Sequence, residues 1–301
     1  MNGIIIVNKP KNYTSFDVIA RLRKKLGQKK IGHMGTLDPM ATGVLPILLG
    51  KTAKFQIYSC DNQKGYIAKI QLGITTDTLD ITGKITSKKP FFIDEEKIKN
   101  AIQKFTGKIL QIPPMFSAIK QDGKKLCDLA RKGIEVKRKP RKIQIKSIQI
   151  LDLNKKLGTL TLKIICSKGT YIRSLCSDIG EFLGCGAVLT DLERIYSNGF
   201  DISQSAELNT ILNTTLEEIK NKYILPTEYL FKNKQSVNIS KLQAKRFQNG
   251  GSLMLERIKS PCPFKNDEIY KILCDNNFIG LGKTCTEKNE MQILKCLHSA
   301  E

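Results

Sequence analysis

The sequence predicts an α+β fold: a mixed, mostly antiparallel sheet flanked by helices, followed by a small β-rich C-terminal domain. Three observations support this. Strand-like and helix-like stretches are interspersed along the 301 residues without a regular strand–helix–strand rhythm, which argues against a doubly wound parallel sheet. Two-residue alternation of apolar side chains recurs in separate segments, as it does in strands with one covered face. Late in the chain, short strand signals are separated only by turns.

The elements follow in order. Gly3–Val7 is an apolar run closed by Asn8-Lys9-Pro10, so it reads as a strand. Ser15 can cap a helix whose Val18, Leu22 and Leu26 recur at helical spacing, and Gly27 ends it. Val44–Leu49 is strand-sized. In 66–72, Tyr66, Ala68, Ile70 and Leu72 share one face. Asp94 can cap a helix carrying Ile98, Ile102 and Phe105, and a shorter one holds Leu126, Leu129 and Ala130 and stops at Gly133. Ile143–Ile150 alternates but slips a step near Lys146 and Ser147, as at a bulge. Leu160, Leu162 and Ile164 alternate again. From Thr170 the period turns helical through Leu175, Ile179 and Phe182, up to Gly184. The polar, turn-rich stretch Phe231–Ser240 marks a boundary, dividing the chain into domains of 1–232 and 233–301. Beyond it, Ile269–Cys274 and Phe278–Leu281 read as strands.

Composition narrows the function. Fifty Lys and Arg stand against 28 Asp and Glu, a formal charge of +22. Such an excess repels itself in a compact fold and points to a polyanionic partner, nucleic acid or an anionic membrane surface. The excess is uneven: residues 1–60 hold ten bases and only two acids, Asp17 and Asp38, while 119–146 hold eleven bases against three acids. No apolar run approaches the ~20 residues of a membrane span, no secretory signal is expected because the first residues lack a basic stretch followed by a long apolar one, and no basic amphipathic helix with bulky aromatics suggests membrane binding. A cytoplasmic location is expected. Nine cysteines, Cys60 among them, include no Cys-x-x-Cys pair, and the histidines are only His33 and His298. Metal-ligand spacing is therefore lacking and the cysteines are expected to be reduced and structural. Phosphate-binding glycine loops, dinucleotide fingerprints and the Gly-x-Ser-x-Gly and His-Glu-x-x-His motifs are also missing, so the expectation is no metal and no cofactor.

Three segments could carry chemistry. Lys30–Gly43 packs three glycines, His33, Asp38 and Pro39 into fourteen residues. Glycines let a backbone approach a ligand, and a residue before proline is held extended, which presents Asp38 on a loop. The same pattern also serves as ordinary turn chemistry. An acid set among bases is favoured as a carboxylate, which suits a nucleophile or base. Lys64-Gly65-Tyr66 opens a strand, and its tyrosine can be a core aromatic or a phenol that stacks on a base and moves a proton. Cys166-Ser-Lys168-Gly169-Thr170-Tyr171-Ile172-Arg173 runs from a strand into a helix start, where Arg173 is either a surface cation or a partner for Asp38. Leu192 reads as a core leucine.

The segment Ile-Gly-His33-Met-Gly-Thr-Leu-Asp38-Pro-Met-Ala-Thr-Gly-Val-Leu-Pro resembles the signature of the bacterial tRNA pseudouridine synthase B family. So do, in the expected order, Val7-Asn8-Lys9-Pro10, Lys64-Gly-Tyr66, Leu72-Gly-x-x-Thr-Asp77-Thr-x-Asp80, Ile112-Pro-Pro-Met-Phe-Ser-Ala, Asp122-Gly-Lys-Lys-Leu, Ala130-Arg-Lys-Gly-Ile and Cys166 to Arg173. The likeness is strong over residues 3–200 and weaker beyond.

The resemblance implies a pseudouridine synthase fold with a catalytic domain at 1–232 and a PUA-like RNA-binding domain at 233–301. It implies isomerisation of uridine 55 in the T loop of tRNA, by a stand-alone monomer with no guide RNA, no membrane and no cofactor. Asp38 matches the catalytic aspartate, Tyr66 the tyrosine that stacks on the target base and takes part in proton transfer, and Arg173 the arginine paired with that aspartate. His33 matches the histidine used in rearranging the T loop around a flipped-out nucleotide. Tyr171 and Leu192 match the uridine pocket, and Lys9, expected among the substrate contacts, belongs with Pro10 to a motif that supports the tyrosine. Asp38 can attack C1′ or C6, or take the 2′ proton; the residues leave all three open. Two departures stand out: Leu192-Glu193-Arg194 replaces the frequent Leu-Arg-Arg, and Thr82, where some members carry a further aspartate, is assigned no role. A non-catalytic RNA-binding protein and a guide-dependent relative are the rival readings.

Overall fold

The structure is a computed structural model that describes every residue except Cys60, Pro261 and 298–301. His298 and Cys60 thus lie outside the described residues. The core is a ten-stranded mixed sheet. Its main order is Ala206–Glu207, Gly3–Lys9, Thr42–Leu49, Ala187–Ser197, Gln63–Leu72, Thr159–Ser167, Arg141–Asn154 and Gly107–Gln111. Ile31–His33 adds to Thr42–Leu49, and Phe200–Asp201 to Ala187–Ser197. Two pairings are parallel, Gly3–Lys9 with Ala206–Glu207 and Thr42–Leu49 with Ala187–Ser197; the others are antiparallel.

Apolar runs and alternation explain the two faces. Ile5 and Val7 enter a core with the helices Ser15–Leu26, Glu95–Phe105 and Ile172–Leu183, whereas Ile4 and Ile6 enter a second core on the opposite face. A strand buried on both sides needs a continuous apolar run, and Gly3–Val7 has one. The second core also holds Phe55, Phe231, Leu281 and Leu297, so it joins the large sheet to a five-stranded sheet ordered Ser236–Asn238, Ile269–Cys274, Asn277–Cys285, Glu290–Cys296, Leu253–Met254. Phe231, in the stretch read as a boundary, is buried there. No helix among the described residues is long and apolar enough to cross a membrane. The eight described cysteines are free.

Local expectations mostly hold. Gly27 and Gly184 close their helices in the left-handed conformation, and Asp94 caps its helix with its carboxylate. The register slip falls between Ile145 and Ser147. Ser15 is a correction. Thr14 is the cap, in a reciprocal box with Asp17, and Ser15 turns inward, where its hydroxyl accepts from the Leu37 N–H at 2.9 Å. Strand Ala187–Ser197, near the centre of the sheet, was not read as one. Its alternation breaks twice, between Leu189 and Asp191 and between Arg194 and Tyr196, and its charged residues mimic a surface turn.

The loop after His33 is held against that strand. Gly43 has φ +102°, and a Cβ there would stand 2.2 Å from the Arg194 carbonyl oxygen. Gly133 has φ +71° but open space around it. Gly43→Ala is therefore expected to lower stability by ~3 kcal/mol or more, through strain plus a backbone clash, and Gly133→Ala by about 1 kcal/mol. Urea unfolding of both variants checks this; equal losses would refute the clash.

Candidate active site

Three segments converge on Arg173, at the start of helix Ile172–Leu183. Its Nε donates to Asp38 Oδ2 at 2.8 Å and its Nη2 to Asp38 Oδ1 at 3.2 Å. Nη1 donates to the Thr78 carbonyl at 2.9 Å, and Nη2 also to the Phe116 carbonyl at 2.9 Å. The Asp80 carboxylate lies 3.7 Å from Nε. The guanidinium is almost completely enclosed, while the Asp38 side chain keeps 35% of its surface. A forked, two-point pair of this kind fixes both groups in orientation as well as charge. It leaves one carboxylate edge open to a ligand, with its own cation behind it.

The surroundings hold this pair in place. Asp80 accepts from the Thr78 hydroxyl at 2.9 Å and from Thr82, both its N–H at 3.0 Å and its hydroxyl. Thr82 thus has a role that its sequence position did not suggest. Tyr171 is the N-cap residue of the helix, but its side chain makes no capping bond. Instead the Gln111 amide clasps its backbone from both sides, accepting from the N–H at 2.8 Å and donating to the carbonyl at 3.0 Å. The 112–118 motif therefore acts through its backbone: Phe116 holds Arg173, and Ile112 accepts from Ser174.

Lys9 differs from the expectation of a substrate contact. It is fully buried, and its ammonium donates to the carbonyls of Pro10, Tyr13 and Pro39 at 2.9, 2.6 and 3.2 Å. All three donors are used, so it braces the Asp38-Pro39 turn and has none left for a phosphate. Burial pulls its pKa down to about 8, with the Asp38 charge opposing.

Tyr66 faces the helices from strand Gln63–Leu72 and is 5% exposed. Burial pushes its phenol up to about 12, with Arg194 opposing and the Asp38 charge adding. It therefore stays a neutral phenol at physiological pH. Arg194 stands opposite Tyr66 on the neighbouring strand, and Leu192 opposite Ala68. Sequence reasoning missed Arg194. It has no exposed surface, and it donates to the carbonyls of Val44 at 2.7 Å, Gly35 at 3.1 Å and Thr36 at 3.3 Å. It thereby pins both arms of the loop that presents Asp38. The sequence signal was its place in Leu192-Glu193-Arg194, which keeps the last arginine of the frequent Leu-Arg-Arg.

Asp38, Arg173, Tyr66 and Tyr171 thus lie within electrostatic reach of one another. His33 does not join them. It ends strand Ile31–His33, where burial, Arg194 and Lys64 lower its pKa. The basic 119–146 run begins on the hairpin Lys120–Gln121 and Lys124–Lys125, which follows the Phe116 segment directly and leaves its lysines largely in solvent. Among the described residues no cluster of His, Cys, Asp and Glu could hold a metal ion.

Comparison with known proteins gives this fold and site a class. The TruB family pseudouridylate synthase N-terminal domain matches residues 23–172, and the tRNA pseudouridylate synthase B C-terminal domain matches 173–232. The tRNA pseudouridine synthase B of Clostridium tetani is 43% identical over 288 residues, covering 95% of this chain and 97% of that protein. That of Clostridium kluyveri is 41% identical over 283 residues, covering 94% and 95%. The fold also matches a chain in a structure of an H/ACA RNP bound to a substrate RNA containing 2′-deoxyuridine, at TM-score 0.74 and 23% identity, over 98% of this chain and 85% of that one. The chain belongs to the tRNA pseudouridine synthase B family.

Proposed function

We propose that this chain converts uridine 55 of the tRNA T loop to pseudouridine, acting in the cytoplasm as a monomer without guide RNA or cofactor. The reaction breaks the C1′–N1 bond, turns the base and joins C1′ to C5. It is an isomerisation, so it needs a carboxylate against the nucleoside, a route for the carbon-bound proton and a cage for the freed base. The forked Asp38–Arg173 pair beside the buried Tyr66 phenol is the observation that carries this reading. Asp38 acts on the uridine, Arg173 orients it, and Tyr66 stacks on the base and relays a proton. Tyr171 and Leu192 line the pocket, and His33 meets the loop from which the nucleotide leaves.

Extruding the nucleotide costs a few kcal/mol. Stacking on Tyr66 returns ~1–3 kcal/mol, and phosphate contacts with the basic surface supply salt-sensitive affinity. The division into a catalytic domain of 1–232 and an RNA-binding domain of 233–301 fits this reading, because the second sheet is attached behind the site rather than across it.

The test is unguided conversion of an isolated T-stem-loop hairpin by purified protein, with a hairpin lacking the target uridine as control. No product would leave a non-catalytic or guided role. Tyr66→Phe is expected to lower turnover about 100-fold or more, the size of a lost proton-transfer group, with Kd changed less than about threefold. Normal turnover with a large loss of affinity would make Tyr66 a binding residue only.

A further inference from the structure

We propose that Lys64 and His33 seat a backbone phosphate of the substrate RNA, one nucleotide's reach from Tyr66. This deepens the proposed function and rests on it. Lys64 lies two residues before Tyr66 on the same face of strand Gln63–Leu72, about 7 Å along the strand. A nucleotide spans a comparable distance between its base and its own phosphate.

Lys64 is half-buried, yet among the described residues it has neither a hydrogen bond nor an ion pair. Its Nζ lies 2.7 Å from where a Cβ on Gly35 would stand, and Arg194 Nη1 lies 3.7 Å from the same point. The missing side chain is what leaves room for the ammonium. His33, two residues before Gly35, carries a buried Nδ1 with no hydrogen-bond partner. Arg194 is a like charge beside both groups, and Lys64 is a second one beside His33; the Gly35 backbone beside His33 and the Cys166 thiol beside Lys64 favour the charged forms, and among the described residues no carboxylate acts on either group. Burial and Arg194 pull Lys64 down to about 8.

Proteins seldom bury an ammonium beside a guanidinium and leave it unpaired, because both desolvation and repulsion oppose it. A visiting anion reverses both effects. Lys9 and Arg194 show the contrast: each spends its donors on backbone carbonyls, and Lys64 spends none. The anion that a polyanionic substrate brings to this spot is a phosphodiester, with His33 able to donate to it when protonated.

The test measures binding of a T-stem-loop hairpin by the wild type, Lys64→Met and Lys64→Arg across a range of salt. Hairpins with a single methylphosphonate at each linkage around the target uridine are measured alongside. Lys64→Met is expected to weaken binding about tenfold and to flatten the plot of log K against log salt by ~0.7, one single-stranded phosphate. Lys64→Arg stays within about threefold of wild type. One methylphosphonate next to the target weakens wild type about tenfold and leaves Lys64→Met unchanged. An unaltered salt slope in Lys64→Met, or equal methylphosphonate effects in both proteins, would overturn the seat. If Lys64→Met does not fold, the scan on wild type alone decides, because no sensitive linkage beside the target means no seat. Conversion of the unmodified hairpin by wild type is scored separately, so binding as described without product removes the enzyme reading and keeps the seat.

Discussion

Asp38→Asn is expected to abolish pseudouridine formation, by at least ~10⁴-fold, while hairpin affinity stays within about threefold of wild type. The size follows from the proposed role: a group that forms or breaks bonds with substrate is lost entirely from the transition state. The near-normal binding follows from the geometry. An asparagine oxygen can still accept one bond from Arg173, whose other donors remain on the Thr78 and Phe116 carbonyls. The guanidinium therefore stays in place and the loop stays shaped by Lys9 and Arg194. Pseudouridine mapping and a binding isotherm on the same preparation provide the check. Product at near wild-type rates would remove Asp38 from the chemistry.

Arg194→Met is expected to be the most damaging substitution to the fold near the site. Three carbonyls lose their donor, that of Val44 in a buried space and those of Gly35 and Thr36 in partly buried ones. Unsatisfied buried acceptors cost about 1–3 kcal/mol each before relaxation. Removing the charge recovers part of that, so a net loss of about 3–5 kcal/mol and ~10 °C in melting temperature is expected. Activity should fall with it, because the guanidinium also faces Tyr66. Arg194→Lys should recover little, since one ammonium does not reproduce a planar fork that spans three carbonyls. Thermal unfolding of both variants decides; a melting temperature within about 2 °C of wild type would show that the loop holds itself.

Most element types and the chemical segments were legible in the order of residues, the strand Ala187–Ser197 excepted. Alternation at 66–72 placed Tyr66 inward, glycines at 27 and 184 stopped their helices, and the glycine-lined turn presented Asp38 as expected. These are properties of a residue and its near neighbours, which the chain carries locally. The resemblance to a known family brought in the pairing of Asp38 with Arg173, 135 residues apart.

What only the tertiary structure decided is how each charged group is partnered. Lys9, Lys64 and Arg194 look alike in sequence, as bases in a basic chain. In the fold one braces a turn, one has no hydrogen bond or ion pair among the described residues, and one is sealed among three carbonyls. Thr82 likewise gained its role from Asp80, and Phe116 from its carbonyl rather than its ring. A charge's energy depends on the dielectric and the donors that surround it. Those come from strands and loops far apart in the chain, so no local pattern can encode them.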